Sequence, residues 1–371
     1  MNHLTRLAVL SALICLSAKA APFMAVGDNA ELFVTASAAV QADDNIYLDT
    51  SNAKSDTIFS FTPGVDLVFG KGSATSGNFY YREEIRRYSD NDVQNTELSS
   101  LGVNSSYSNG VTKVDFNASY AQVAQNDNDI RSTGDLIHRK LTNVGGKSEF
   151  GVSEKTKFSL GAAYNKTDYA PASYADSDIW TFPLDVYYEA SPKLDWSLGY
   201  QYRKTELSLG RDSNDSFFNI GARGEFTPKL TGQVRMGYTQ RSFKVGSDES
   251  LVGLSSSLTY LYSEKTSYQF NLGNDFGSSG TGDSTKNFSW GLSSSTHFTE
   301  QWYLNLGVNF RSIKYPARTD DYTEGQVGVS YVYNSTVNFS ASYTYRNNSS
   351  DKLASAEFTN NVFSLGANIR Y

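Results

Sequence analysis

Residues 194–203 read Leu-Asp-Trp-Ser-Leu-Gly-Tyr-Gln-Tyr-Arg. Leu194, Trp196, Leu198, Tyr200 and Tyr202 fall at every second position, with Asp195, Ser197, Gly199, Gln201 and Arg203 between them. Side chains alternate across a strand, so this stretch is a β-strand with one oily face and one small, polar face. Its length of about ten residues is long for a soluble sheet and suits a tilted membrane crossing. The pattern recurs downstream. Trp302, Leu304, Leu306, Val308 and Phe310 alternate with Tyr303, Asn305, Gly307, Asn309 and Arg311, and Val337, Phe339, Ala341, Tyr343 and Tyr345 with Asn338, Ser340, Ser342, Thr344 and Arg346.

Short turns punctuate these strands at a fixed pitch. Ser-Pro-Lys begins at Ser191, Thr-Pro-Lys at Thr227, Ser-Glu-Lys at Ser263 and Thr-Glu-Gln at Thr299, each 36 residues after the last. That interval holds two strands, a tight turn and one longer loop, which makes the repeating unit a β-hairpin. Nine long polar connections, starting at Asp44, Ser89, Gln125, Thr167, Leu209, Val245, Gly277, Lys314 and Arg346, imply eighteen strands. A sandwich would bury its apolar face against a second sheet, whereas here nearly every strand is apolar and aromatic on one face and small and polar on the other. Closure into a ring removes the edges and satisfies every backbone group in lipid. The expected fold is therefore an all-β, antiparallel, up-and-down transmembrane barrel of about 18 strands, with both termini on the periplasmic side.

Residues 1–20 have the features of an export signal: Arg6, an apolar run from Leu7 to Leu16, and Ala18-Lys19-Ala20 as a cleavage site. The expected division is thus a signal peptide at 1–20 and a single barrel domain at 21–371. The one cysteine, Cys15, lies in the leader, which excludes a disulfide scaffold, a thiolate metal site and a cysteine nucleophile from the mature chain. Formal charge is −7, and losing Arg6 and Lys19 makes it −9, which disfavours a nucleic-acid partner. The C-terminus points the same way as the strands. Ser364, Gly366, Ile369 and Tyr371 make a polar-x-Gly-x-x-apolar-x-aromatic motif similar to the sorting signal of outer-membrane barrels. The implied location is the outer membrane of a Gram-negative bacterium, and the implied partners are the lipid bilayer, lipopolysaccharide and the barrel assembly machinery.

The inward face is expected to be hydrated. Ser197, Gln201, Gln233, Arg235, Gln269, Asn271, Asn305 and Asn309 fall on it, and eighteen strands leave room for an aqueous channel. Arg203, Arg311 and Arg346, with Arg241 one step beyond, occupy matching heights and suggest a basic collar near the outer mouth, opposed by Asp275. The alternative is that these arginines pair with neighbouring acids to brace the wall. No loop looks long enough to form a deep constriction. Pro63 and Pro183 sit within strands and suggest bulges. Around Phe79–Ile85 either phase sets a charge toward lipid, so the phase of the 78–88 strand is open. His138 and His297 fall at opposite ends and no catalytic triad can be assembled, so neither an enzyme nor a cofactor or metal is expected. Asp90-Asn91-Asp92 and Asp127-Asn128-Asp129 resemble the starts of calcium loops but lack the glycine and terminal glutamate, and read as solvated loop acids.

The stretch from Gln41 to Gly70, with Asp43-Asp44-Asn45-Ile46, Lys54-Ser55-Asp56 and Thr62-Pro63-Gly64, resembles the opening hairpin of β-barrel porins encoded in bacterial exopolysaccharide clusters. The resemblance implies an outer-membrane channel that secretes polysaccharide delivered by a periplasmic polysaccharide export protein. A diffusion porin, general or solute-selective, and a structural or adhesion barrel are the alternatives.

Overall fold

A computed structural model describes residues 21–131, 134–244 and 246–371; the leader at 1–20 lies outside them. The chain forms one antiparallel sheet closed on itself. Eighteen long strands make the ring, from Ala30–Asp43 to Phe358–Arg370, and these two pair to close it. Before them, the short strand Met24–Val26 pairs with Ala30–Leu32. It extends the edge of the first long strand where the last one ends.

Following hydrogen-bonded partners once round the ring returns to the starting strand roughly 22 residues further along, which for eighteen strands tilts them by about 40° and sets opposite backbones about 35 Å apart. The tilt explains why residues equally far from their turns are not direct ladder partners: Ser197 lies in a ladder row with Gly221, Arg235 and Ser255.

The oily face points outward along the whole wall. Trp196 is 57% exposed, Leu198 63% and Ile220 66%, surfaces that only lipid would cover. The short turns owe their pitch to a side chain at the turn's start. Ser153 Oγ accepts the N–H of Thr156 at 3.1 Å, Thr227 Oγ1 that of Leu230 at 3.1 Å, and Thr299 Oγ1 that of Trp302 at 3.1 Å. Each hydroxyl closes its own turn.

Both prolines interrupt a ladder without making a bulge. Pairing stops at Phe61↔Ile85 and resumes at Gly64↔Arg82, and it stops at Leu160↔Leu184 and resumes at Ala163↔Thr181, in unchanged register both times. A proline removes one donor, but the equal count on both strands preserves the pleat. The phase of the strand Thr75–Tyr88 is settled too. Phe79, Tyr81, Glu83, Ile85 and Arg87 face out, while Arg82 and Arg86 face in on Asp66 and Glu84. Arg87 pairs with Glu97 at 2.7 Å, and Glu83 accepts from Ser99 Oγ at 2.6 Å and Tyr81 Oη at 2.8 Å. These charges lie toward the outer end of their strands, where a charge on the lipid face costs about 0–1 kcal/mol rather than the 2–4 of the midplane.

Candidate functional site

The site is the outer mouth, and it is built around the loop at 125–137. Its first residues fold it back on itself. Asp127 Oδ1 accepts the N–H groups of Asp129 and Ile130, both at 2.9 Å, an aspartate turn that reverses the chain. Asn126 donates to the carbonyls of Tyr47 at 3.0 Å and Asp135 at 2.9 Å and accepts from the Ile137 N–H at 3.2 Å. Ile130, Leu136 and Ile137 are buried, and Leu136 joins a core with Ile46, Tyr47, Ile58 and Tyr88. Three aliphatic side chains therefore hold a polar loop inside the mouth.

From there the loop reaches the far side of the ring. Arg311 donates to Asn128 Oδ1. Tyr315 Oη donates to Asp129 Oδ1 at 2.6 Å, and the Gly280 N–H donates to Asp129 Oδ2 at 3.1 Å. Gly280 is required here, because a Cβ would collide with Ile130. Arg131 donates to the carbonyls of Leu48 at 3.2 Å and Ser355 at 3.3 Å, and its own carbonyl accepts from Tyr174 Oη at 2.5 Å. The loop thus ties together the connections near 48, 174, 280, 315 and 355. Burial, with Asp127 adding to it, pushes the Asp129 carboxyl above the usual carboxylate range, against the Tyr315 hydroxyl, Arg311 and the Gly280 amide. Burial and the facing Asp129 raise the Tyr315 hydroxyl in turn.

This arrangement corrects two expectations. A loop of this length does constrict the mouth, because it lies across the lumen rather than standing in solvent. Asp127-Asn128-Asp129 are likewise not solvated acids: their oxygens close a turn and join opposite walls.

Below the loop, ion pairs brace one side of the lumen. Asp215 joins Arg203 at 2.6 Å and Arg241 at 2.6 Å, and Arg203 also pairs with Asp275 at 2.7 Å. Arg241 is 1% exposed. Nearer the periplasm, Arg223 pairs with Glu149 at 2.7 Å and Asp195 at 3.0 Å and lies 3.3 Å from the centre of the Tyr187 ring. Arg203 with Asp275, and Glu149 with Arg223, bridge strands four positions apart in the ring, so the lumen is pinched along this side. Of the four collar arginines, the structure brings Arg203 and Arg241 together on Asp215. Arg311 lies apart, over the Tyr322 ring and against the loop, and Arg346 pairs with Glu324 at 3.4 Å.

The amide-lined wall is more open. Gln269 and Asn309 are exposed and Gln201, Gln233, Asn271 and Asn305 half-buried on the inward face, whereas Ser197 is buried and Arg235 is held by Asp185 at 2.9 Å. Ser364 and Gly366 sit in the closing ladder opposite Gln41 and Ala39, and Ile369 opposite Ala36. Tyr371 completes that ladder by exchanging backbone bonds with Val34 at 2.9 and 2.7 Å, and its ring meets the edge of Phe23.

The family described as "Putative beta-barrel porin 2" matches residues 21–371. No curated protein is similar in sequence. Among solved structures, OccAB2 of Acinetobacter baumannii is similar over 93% of this chain and 98% of that chain, at 13% identity and a TM-score of 0.50. A BenF-like porin from Pseudomonas fluorescens Pf-5 is similar over 92% and 99%, at 12% identity and a TM-score of 0.50. The outer membrane protein opdK of Pseudomonas aeruginosa is similar over 92% and 99%, at 8% identity and a TM-score of 0.48. At these identities the likeness is one of fold.

The family match places the protein in the outer membrane of a Gram-negative bacterium. The expectation of a polysaccharide secretion channel is overturned, since solved barrels that share the fold include OccAB2 and a BenF-like porin. The physical reason lies in the mouth, where a polymer would have to thread past the 125–137 loop and its cross-barrel bonds.

Proposed function

Since the chain belongs to this β-barrel porin family, we propose that it is a solute-selective diffusion porin that passes small, polar, uncharged or zwitterionic solutes, a channel rather than an enzyme. One observation carries the substrate class: most of the charged side chains along the lumen wall are held in ion pairs with one another. Arg82 with Asp66, Arg86 with Glu84, Arg139 with Asp127, Arg203 and Arg241 with Asp215 and Asp275, Arg223 with Glu149, Arg235 with Asp185, and Arg346 with Glu324 cancel along the wall. A pore whose fixed charges cancel exerts little net field on an ion, and its exposed amides offer hydrogen bonds to neutral solutes. In this reading the four arginines brace the wall and the constriction limits size.

The test is liposome swelling with sugars, amino acids and organic anions of matched size, together with the reversal potential across a salt gradient. The reading expects neutral and zwitterionic solutes to enter faster than the anions and a reversal potential near zero. Strong anion preference would contradict it.

A further inference from the structure

One ladder of the ring stops far short of its strand ends. The strand Glu249–Ser263 pairs with Thr266–Ser278 only as far out as Leu254↔Asn274, although one continues to Glu249 and the other to Ser278. The nearest comparable case among the described residues is Thr96–Ser108 against Thr112–Ala124, which stops at Ser100↔Ala121. Residues 275–278 keep their ladder with the next strand, Ser284–His297, so the break lies on one side only.

Side chains take several of the backbone groups at the break. The Phe276 N–H donates to Asp275 Oδ1 at 2.8 Å, the Phe276 carbonyl accepts from Arg203 Nη2 at 3.1 Å, and the Gly277 carbonyl accepts from Arg241 Nη1 at 2.7 Å. Across the gap, Asn274 Nδ2 donates to the Val252 carbonyl at 2.6 Å. Beyond the strand end, Gly280 is the residue that binds Asp129 and supplies the carbonyl for the Ala175 N–H at 2.7 Å. The displaced strand end therefore leads directly into the roof of the mouth.

Register supplies a second position for it. Continuing from Leu254↔Asn274 would pair Gly253 with Asp275, Val252 with Phe276, Leu251 with Gly277 and Ser250 with Ser278. Each position gives the Phe276 backbone partners: side chains in the structure as it stands, the neighbouring strand in the other.

We propose that residues 275–283 are a hinged gate, closed when Arg203 and Arg241 hold the strand end away from its neighbour and open when the ladder zips and withdraws the loop from the mouth. The proposal rests on the porin reading. Because Cys15 is the chain's only cysteine, a mature protein carrying Ser250→Cys and Ser278→Cys has no other thiols, and its disulfide would trap the open position. The control is Ser256→Cys with Leu272→Cys, partners in the existing ladder.

The experiment records unitary conductance of the full mature protein in planar bilayers, before and after mild oxidation, with cross-linking read by gel mobility. The expected result is cross-linking of both pairs, with loss of closures and a roughly two-fold rise in conductance for the first pair alone, reversed by reductant. A first pair that fails to cross-link while the control does, or that cross-links without changing conductance, overturns the gate. A wild-type protein that conducts nothing defeats the porin reading, and the cross-linking yield still decides the hinge. Gly280→Ala gives a second measure, since its methyl would press on Ile130 and loosen the roof: longer openings are expected, and unchanged gating counts against the proposal.

Discussion

At the periplasmic rim a turn is closed by its own hydroxyl, as Thr227 closes on Leu230 three residues away, whereas at the outer mouth Arg311 reaches Asn128 and Tyr315 reaches Asp129 from the far side of the ring. The first kind of contact needs only local sequence. The second exists only after the barrel has closed, because its partners are brought together by the ring. The periplasmic end therefore behaves as part of the wall, and the outer end as a separately adjustable structure resting on it.

This difference ranks the expected effects of mutation. The largest should come at the seam. Deleting Tyr371 removes two backbone bonds to Val34 and the end of the motif expected to direct sorting, and most of the heat-modifiable barrel should disappear from outer-membrane fractions. Unchanged membrane levels would separate the motif from assembly. Next comes Asp215→Ala, which leaves the buried Arg241 without its carboxylate and deprives Arg203 of one of its two. Breaking such a buried pair costs about 3–5 kcal/mol, and the gel-shift unfolding temperature should fall clearly. By contrast, removing the exposed Lys193–Glu225 pair beside a periplasmic turn should change stability by no more than about 0.5 kcal/mol. If both variants were equally unstable, the distinction between the ends would fail.

A smaller effect should follow pH. Because the Asp129 carboxyl is raised above its usual 3.8, the docked loop holds its proton more tightly than an undocked one. Docking is then strongest when pH is low enough to protonate it and weakens as pH rises through the raised value. Asp127, Arg139, Arg311 and Tyr315 face or adjoin the same group, and Asp129→Asn should remove the dependence while those remain. Conductance should therefore fall on acidification from neutral pH in wild type and change less in the variant. A fall of the same size in both would assign the effect elsewhere.

What the sequence reveals follows the same division. Alternation at residues 194–203 and the spacing of Ser191, Thr227, Ser263 and Thr299 expose strands, faces and hairpin pitch, because each depends on neighbours along the chain. The phase at Glu83 was hidden, since it turns on Ser99 and on height in the membrane. The mouth was hidden more deeply. Asp127-Asn128-Asp129 looks solvated by composition, and only Ile130, Leu136 and Ile137, aliphatics in an otherwise polar loop, signal that the segment folds inward. Arg203 and Arg241 were legible as inward arginines at the outer end, but their shared Asp215 and the carbonyls of Phe276 and Gly277 emerge only from the closed ring.

The central claim is that a wall able to pass larger molecules is restricted by the loop laid across its outer mouth. Replacing residues 126–136 with a short Gly-Ser linker leaves every strand of the ring intact, so the size cut-off of the channel can be compared directly with wild type by liposome swelling with sugars of increasing length. The account predicts that wild type admits mono- and disaccharides and excludes longer oligosaccharides, and that the loopless barrel admits the longer ones. The same cut-off in both proteins would contradict it.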